Sequence, residues 1–278
     1  MLSALTLSVS SRLAACSEQD AARLGNDLTP LGAIKAGTAD GTIPAWEGGI
    51  KQVPASYQAG KHHVDPYADD QVKFTIAATN AEHHKEKMTP GQMAMFAKYS
   101  TFKMNVYPPR RSASYPQRIY DATKKHATTA QLVNDGNGID KTIVGIPFPI
   151  PANGLEALWN HIVRYRGHAV KRWINQAAVT ASGKYTLVKL EDEFVFEYDR
   201  DGVTLADLNN VLLYFKQTIV APARLAGGVL LVHETINQVK EPRNAWVYNP
   251  GQRRVRRAPN IAYDNPGTAA DGLRTSDD

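Results

Sequence analysis

The 278-residue chain holds one cysteine, Cys16, so no disulfide framework can staple it and no C-x-x-C redox or zinc motif is possible. It lacks any apolar run of the roughly 18 to 20 residues that a membrane helix needs. Catalytic signatures are missing as well. There is no G-x-S-x-G elbow and no H-E-x-x-H, and Gly183-Lys184 has no upstream glycine to complete a phosphate loop. Ser100 to Lys103 does spell S-x-x-K, but Pro108-Pro109 follows closely and neither S-D-N nor K-T-G accompanies it, so the stretch reads as a surface loop. Charge is nearly balanced, 32 Lys plus Arg against 27 Asp plus Glu, and a surplus of +5 does not by itself argue for nucleic acid. What is present is ordinary: 43% hydrophobic and 8% aromatic residues exclude a disordered tail or a collagen. The length allows one large domain or two modest ones, burying about 73% of the unfolded surface.

Three regions are expected. Residues 1–26 form a leader-like segment. The string MLSALTLSVSSRLAAC ends in Leu13-Ala14-Ala15-Cys16, the form of a lipobox in which Cys16 would be lipidated, although Arg12 interrupts the apolar stretch and no basic residue precedes it. Export to the periplasm is expected, with an outer-membrane lipoprotein anchored through Cys16 as the alternative. Residues 27–140 are rich in punctuation such as Asp40-Gly41, Gly48-Gly49 and Thr89-Pro90-Gly91. They leave room for short helices at Asn80 to Lys87 and Gly91 to Lys98 and are expected to pack on the rest of one domain.

Residues 141–278 carry the regular structure. Thr142 to Phe148 reads as a short strand. A helix follows, capped by Asn153 with Glu156 in capping-box position and ended by Gly167 after the basic Arg164 and Arg166. Leu155, Leu158, Trp159 and Ile162 fall on one of its faces. Strands are expected at Ala169 to Val179, Lys184 to Tyr198, Val211 to Val220 and Val229 to Ile236, with a hairpin over Asn244 to Arg257, about six in all and none before residue 140. In the second strand Val188, Leu190, Phe194, Phe196 and Tyr198 alternate with Lys189, Glu191, Glu193 and Glu197, the period of a half-buried antiparallel strand. Pairing Tyr248 with Arg253 would put Trp246, Tyr248, Arg253 and Val255 on one face and Val247, Arg254 and Arg256 on the other. Pro250-Gly251 calls for a longer loop or a bulge there. The polar stretch from Asp264 to Asp278 closes nothing obvious. The fold class is mainly β with helices (α+β), built on an antiparallel sheet.

Titratable clusters argue for little chemistry. His62-His63 near Asp65, Asp69 and Asp70, and His83-His84 between Glu82 and Glu86, place adjacent side chains in divergent directions, which is poor metal geometry. Asp199-Arg200-Asp201-Gly202 and Asp135-Gly136-Asn137-Gly138 lack the glutamate of a calcium loop and read as turns. Arg253, Arg254, Arg256 and Arg257 interleave with Trp246 and Tyr248 in a way that could read single-stranded nucleic acid, or that could offset the acidic strand face around Glu191 and Glu193. No metal, cofactor or catalytic residue is assigned, and nucleic acid is not expected as a partner.

Longer motifs point further. WVYNPGQRRVRRAP at Trp246 to Pro259, YDNPG at Tyr263 to Gly267, DGLRT at Asp271 to Thr275, LTPLGAIKAGTADGTIPAW at Leu28 to Trp46, DPYADD from Asp65 and GIPFPIPANGLEALWNHIVRYRG at Gly145 to Gly167 together resemble the family called domain of unknown function (DUF) 1329. The resemblance covers nearly everything after Asp27. It implies a fold similar to the lipoprotein-localisation carriers and the outer-membrane-lipoprotein-sorting proteins: a curved antiparallel sheet forming an open half-barrel, with helices on its concave apolar side. It implies a periplasmic carrier for a lipid or other hydrophobic compound, serving an envelope partner such as an exporter of the resistance-nodulation-division type. Family chains continue with more strands past the position matching Asp278 and begin with a cleaner signal peptide. The half-barrel is therefore expected to be incomplete at the carboxyl end, with Val247 to Arg256 near an unpaired edge.

The expected apolar lining is Val188, Leu190, Phe194, Phe196, Trp159, Trp246 and Tyr248, although the same side chains would serve equally as core beneath the helix. Alternatives to a non-catalytic carrier are a hydrolase acting on a hydrophobic ester through His62 or His63, and a ligand-free structural subunit of an exporter complex.

Overall fold

The computed structural model describes residues 16–258, 261 and 264–275, and the chain divides into two compact units. Ile34–Ser114 form one, and the residues on either side of that stretch form the other. Most of the expected leader lies outside the described residues. The described part begins at Cys16 and continues into helix α1 (Glu18–Ala22), whose amino end is capped by Ser17 Oγ accepting from Asp20 N at 3.0 Å.

In the Ile34–Ser114 unit, strand β1 (Phe74–Ala77), a 3-10 turn (Ala81–Lys87), helix α2 (Pro90–Lys98) and strand β2 (Lys103–Val106) surround a small core of Ile76, Ala81 and Phe96. Thr89 and Gln92 close a reciprocal capping box ahead of Pro90, which starts α2 where its missing N–H is not needed. The two short helices lie at the expected positions. The remainder of this unit is held by cross-links to backbone: Arg111 donates to Ile34 O (2.7 Å) and Lys35 O (3.0 Å), and Trp46 Nε1 donates to Ala113 O (3.0 Å).

The other unit continues with helix α3 (Gln117–His126), a hairpin of strands β3 (Gln131–Val133) and β4 (Gly138–Asp140), and helix α4 (Gly154–Ile162). Six strands then form a sequential antiparallel meander: β5 (Ala169–Val179), β6 (Tyr185–Phe196), β7 (Val211–Ala221), β8 (Val229–Thr235), β9 (Asn244–Asn249) and β10 (Arg254–Arg257). The protein is thus mainly β, with a large antiparallel sheet that is not closed into a barrel. A core of Trp159 and Val163 from the α4 region, Ile139, Ile143 and Phe148, and Tyr198, Leu208, Leu212 and Ile236 joins helix, hairpin and sheet end.

Helices α1 and α3 stand where no helix was expected, and four further features differ from the sequence expectation. Strands β1 to β4 precede or reach residue 140; at three or four residues each they are too short to display a period of two. Thr142 to Phe148 is not a strand. Three of its amides are satisfied by side chains instead: Asp199 Oδ1 accepts from Gly145 N (3.2 Å), Thr123 Oγ1 from Ile146 N (3.2 Å) and Asn160 Oδ1 from Phe148 N (2.9 Å). Val144 and Gly145 both turn left-handed here, and a Cβ on Gly145 would sit 2.4 Å from Thr123 Oγ1. Helix α4 stops at Ile162, well before Gly167, because Arg164 and Arg166 bend back to bond the carbonyls of His161 (2.8 Å) and Ile162 (3.3 Å). The last hairpin pairs Tyr248 with Val255 and not with Arg253, which turns left-handed in a four-residue loop. That shift is two residues, so the face of each side chain is as expected.

A cleft between helix α4 and one sheet face

The register of the meander places Val188, Leu190, Asp192, Phe194 and Phe196 on one face of β6. They lie opposite Arg172 and Ile174 on β5 and opposite Phe215, Gln217 and Ile219 on β7. Phe194 stacks on Phe215 with centroids 4.5 Å apart and on Phe196 at 5.7 Å, so three rings run along this face. Between it and α4 opens a cavity of about 1390 Å³, larger than the roughly 300 to 1,000 Å³ of ordinary small-molecule sites. The helix contributes Leu155, Leu158, Trp159 and Ile162. Asn153 and Glu156 fix its start, with Asn153 Oδ1 accepting from Glu156 N (3.0 Å) and Glu156 Oε2 accepting from Ala152 N (2.6 Å). Trp159 is buried and anchors α4 through its Nε1, which donates to Gly136 O at 2.9 Å. Leu155 and Leu158 are 46% and 52% exposed, so half of the helix's apolar face is not sealed against the sheet.

A buried carboxylate sits among the apolar side chains. Asp192 is completely buried, and its two oxygens accept from Arg172 Nε (3.0 Å) and Gln217 Nε2 (2.9 Å). The Arg172 guanidinium lies over the Phe194 ring at 5.0 Å and that of Arg166 over Phe196 at 5.4 Å. Burial, with the neighbouring Arg164 and Arg172, pulls the Arg166 pKa below its usual value, against the opposing pull of Asp199. At the far end of β5, Gln176 Nε2 donates to Thr268 O (2.9 Å) and Ala269 O (2.7 Å), while its Oε1 accepts from Arg274 Nη2 (3.0 Å). The polar stretch after Asp264, expected to close nothing, is tied to the sheet and borders the cavity with Pro266 and Thr268.

Of the expected lining, Phe194, Trp159 and Tyr248 border the cavity. Val188, Leu190 and Phe196 are on the same face but buried as core. Trp246 lies on the opposite face, paired with Leu231, where its ring meets His233 at 4.7 Å. Tyr248 shares that parity yet borders the cavity together with its register partner Val229. Cys16 is partly buried beside Ala21, Leu24, Leu28 and Ala127; burial, then Asp20 and Glu18, push its thiol pKa up.

The residues missed from sequence are Asp192, Arg172, Gln217 and Arg166. The signal for Asp192 and Gln217 was available: each is polar in the phase of its strand that carries the large apolar side chains, whereas the phase of Arg172 also holds Gln176. Behind the cleft, Asp199 is buried against Gly145 N, and burial pushes its pKa up to about 6 despite that amide, Arg118 and Arg166.

His62 and His63 belong to the other unit, where His63 stacks on Tyr57 and Asp70 pairs with Arg110. Among the described residues no three His, Cys, Asp or Glu side chains gather as a metal site, and no helix is long and apolar enough to cross a membrane.

An uncharacterized protein of Pseudomonas aeruginosa, PA3922, is 54% identical over 275 residues, 99% of this chain and 60% of that protein. The chain therefore spans about 60% of the length of this curated relative. No solved structure matches it significantly. The model of a family described as "Protein of unknown function (DUF1329)" matches residues 75–278, most of the chain, and the chain belongs to that family.

Proposed function

We propose that this protein is a periplasmic carrier that shields a lipid or other hydrophobic compound in the cleft between α4 and the ringed sheet face, without chemistry of its own, on behalf of an envelope export system. The observation that carries the reading is the pair Leu155 and Leu158, half exposed on a helix whose other apolar residues are anchored, facing Phe194 and Phe215 across the cavity. A helix packed only for stability would press those leucines onto the sheet, since each side chain gains roughly 1.5 to 3 kcal/mol by full burial. An occupant supplies that burial instead. The sheet in this reading curves as an open half-barrel, and its bulges between Lys189 and Leu190 and between Val211 and Leu213 are the local kinks that such bending uses.

The test is extraction of protein purified from its native envelope into organic solvent, followed by mass spectrometry, beside titration with a fluorescent fatty acid. Copurified lipid and saturable binding are expected, with Leu158→Gln abolishing the second. An empty extract together with no binding would sink the proposal.

A further inference from the structure

The walls of the cleft are apolar, but the charges that border it are uneven. Among the described residues, Arg166, Arg172, Arg243 and Arg274 line it against two carboxylates, Asp192 and Glu234. Glu234 pairs with Arg243, and Asp192 has both oxygens engaged by Arg172 and Gln217. Arg172 meets Asp192 through Nε alone, and among the described residues neither of its Nη groups has an acceptor. Arg166 spends one donor on Ile162 O and has no carboxylate within ion-pair distance among the described residues. The two guanidiniums lie over Phe194 and Phe196, rings that are themselves nearly parallel, 5° apart in plane with centroids at 5.7 Å. Each of these like charges thus lies against one ring of the pair, with donors left over, and both arginines border the cavity, Arg172 with half of its side chain exposed. Guanidinium forks of this kind match the oxygens of a carboxylate or phosphate.

We infer that the ligand is an amphipathic anion, its chain lying between α4 and the rings and its carboxylate or phosphate head held by Arg166 and Arg172. This rests on the carrier reading above and narrows it: a neutral hydrophobic compound would fill the same walls but leave the arginine pair facing each other unopposed.

The experiment is calorimetric titration of the full chain with palmitate, hexadecyl phosphate, hexadecanol and inorganic phosphate, each below its aggregation concentration. The two charged amphiphiles are expected to bind at least about tenfold tighter than hexadecanol, a margin that shrinks as salt is raised. Inorganic phosphate alone is expected not to bind. Whichever of palmitate and hexadecyl phosphate binds tighter identifies the head. Arg166→Gln should weaken both by roughly tenfold while leaving hexadecanol unchanged. The double variant Arg172→Gln/Asp192→Asn, which removes the half-exposed guanidinium together with the buried carboxylate it pairs with, should do the same. Hexadecanol binding as tightly as palmitate, Arg166→Gln weakening all chains equally, or inorganic phosphate binding as tightly as hexadecyl phosphate would each overturn the inference while leaving the carrier reading in place. Failure of every chain to bind the wild-type protein would overturn both.

Discussion

The two faces of the meander solve the same strand problem in opposite ways. On one, charged residues alternate outward and meet each other: Lys171 Nζ lies 2.8 Å from Glu191, Lys216 pairs with Glu193, and Trp173, 65% exposed, donates from Nε1 to Glu191 (3.2 Å). Ion pairs between such partly exposed side chains are worth little to the fold. On the other face Asp192 is buried among rings and aliphatic groups, and the hydrogen bonds it accepts come from Arg172 and Gln217. The difference shows which face is surface and which is interior, and α4 leaves that interior only half covered.

Substitutions one residue apart on β6 test this contrast most severely. Leu190→Ala removes a side chain with no exposed surface and should cost about 3 kcal/mol in urea unfolding. If it costs no more than Glu191→Ala, on the face behind it, the assignment of interior and surface is wrong.

The two kinds of carboxyl should also titrate in opposite senses. Lys216 lowers the Glu193 pKa on the surface face, whereas burial raises that of Asp199 from 3.8 to about 6. A raised folded pKa means that the ionised group penalises the native state. The penalty is absent below about pH 3.8, grows through the interval to about 6 and is complete above it, so this group makes stability fall as pH rises there. Asp199→Asn keeps an acceptor for Gly145 N and should flatten that slope, gaining up to roughly 3 kcal/mol at pH 7.5 and little at pH 4, read from urea midpoints at both values. Equal gains at both would show that desolvation of the charge is not the cause. The smallest effect is expected from Lys171→Ala, whose urea midpoint should not move beyond replicate scatter. A clear loss there would mean that the outer face is covered by something in solution.

Much of this architecture was legible in the sequence. The alternation from Val188 to Phe196 set the strand, and the Asn153 and Glu156 cap set the start of the helix but not its end at Ile162. Thr142 to Phe148 was misread because its apolar run, although strand-like, is held by side chains distant in sequence, Thr123, Asn160 and Asp199, which no local pattern announces. The cleft was half visible. Phe194 and Trp159 follow from periodicity, but Trp246 depends on counting parity across three turns of the meander, where a single strand pattern gives no bearing. Asp192 was overlooked for a simpler reason: alternation draws the eye to matching positions, and the informative residue is the one polar group in the apolar phase.

Strand β10 leaves one more consequence. It is an outermost strand of the meander among the described residues, and three of its four side chains, Arg254, Arg256 and Arg257, are exposed arginines. A second copy adding edge to edge would bring these rows within about 5 Å of each other, inside the roughly 8 Å over which charge is felt at physiological salt. The strand that could seed a fibre therefore also repels its own kind. This protein should grow less colloidally stable as ionic strength rises, because added salt masks the charge that keeps this border of the sheet from recruiting another.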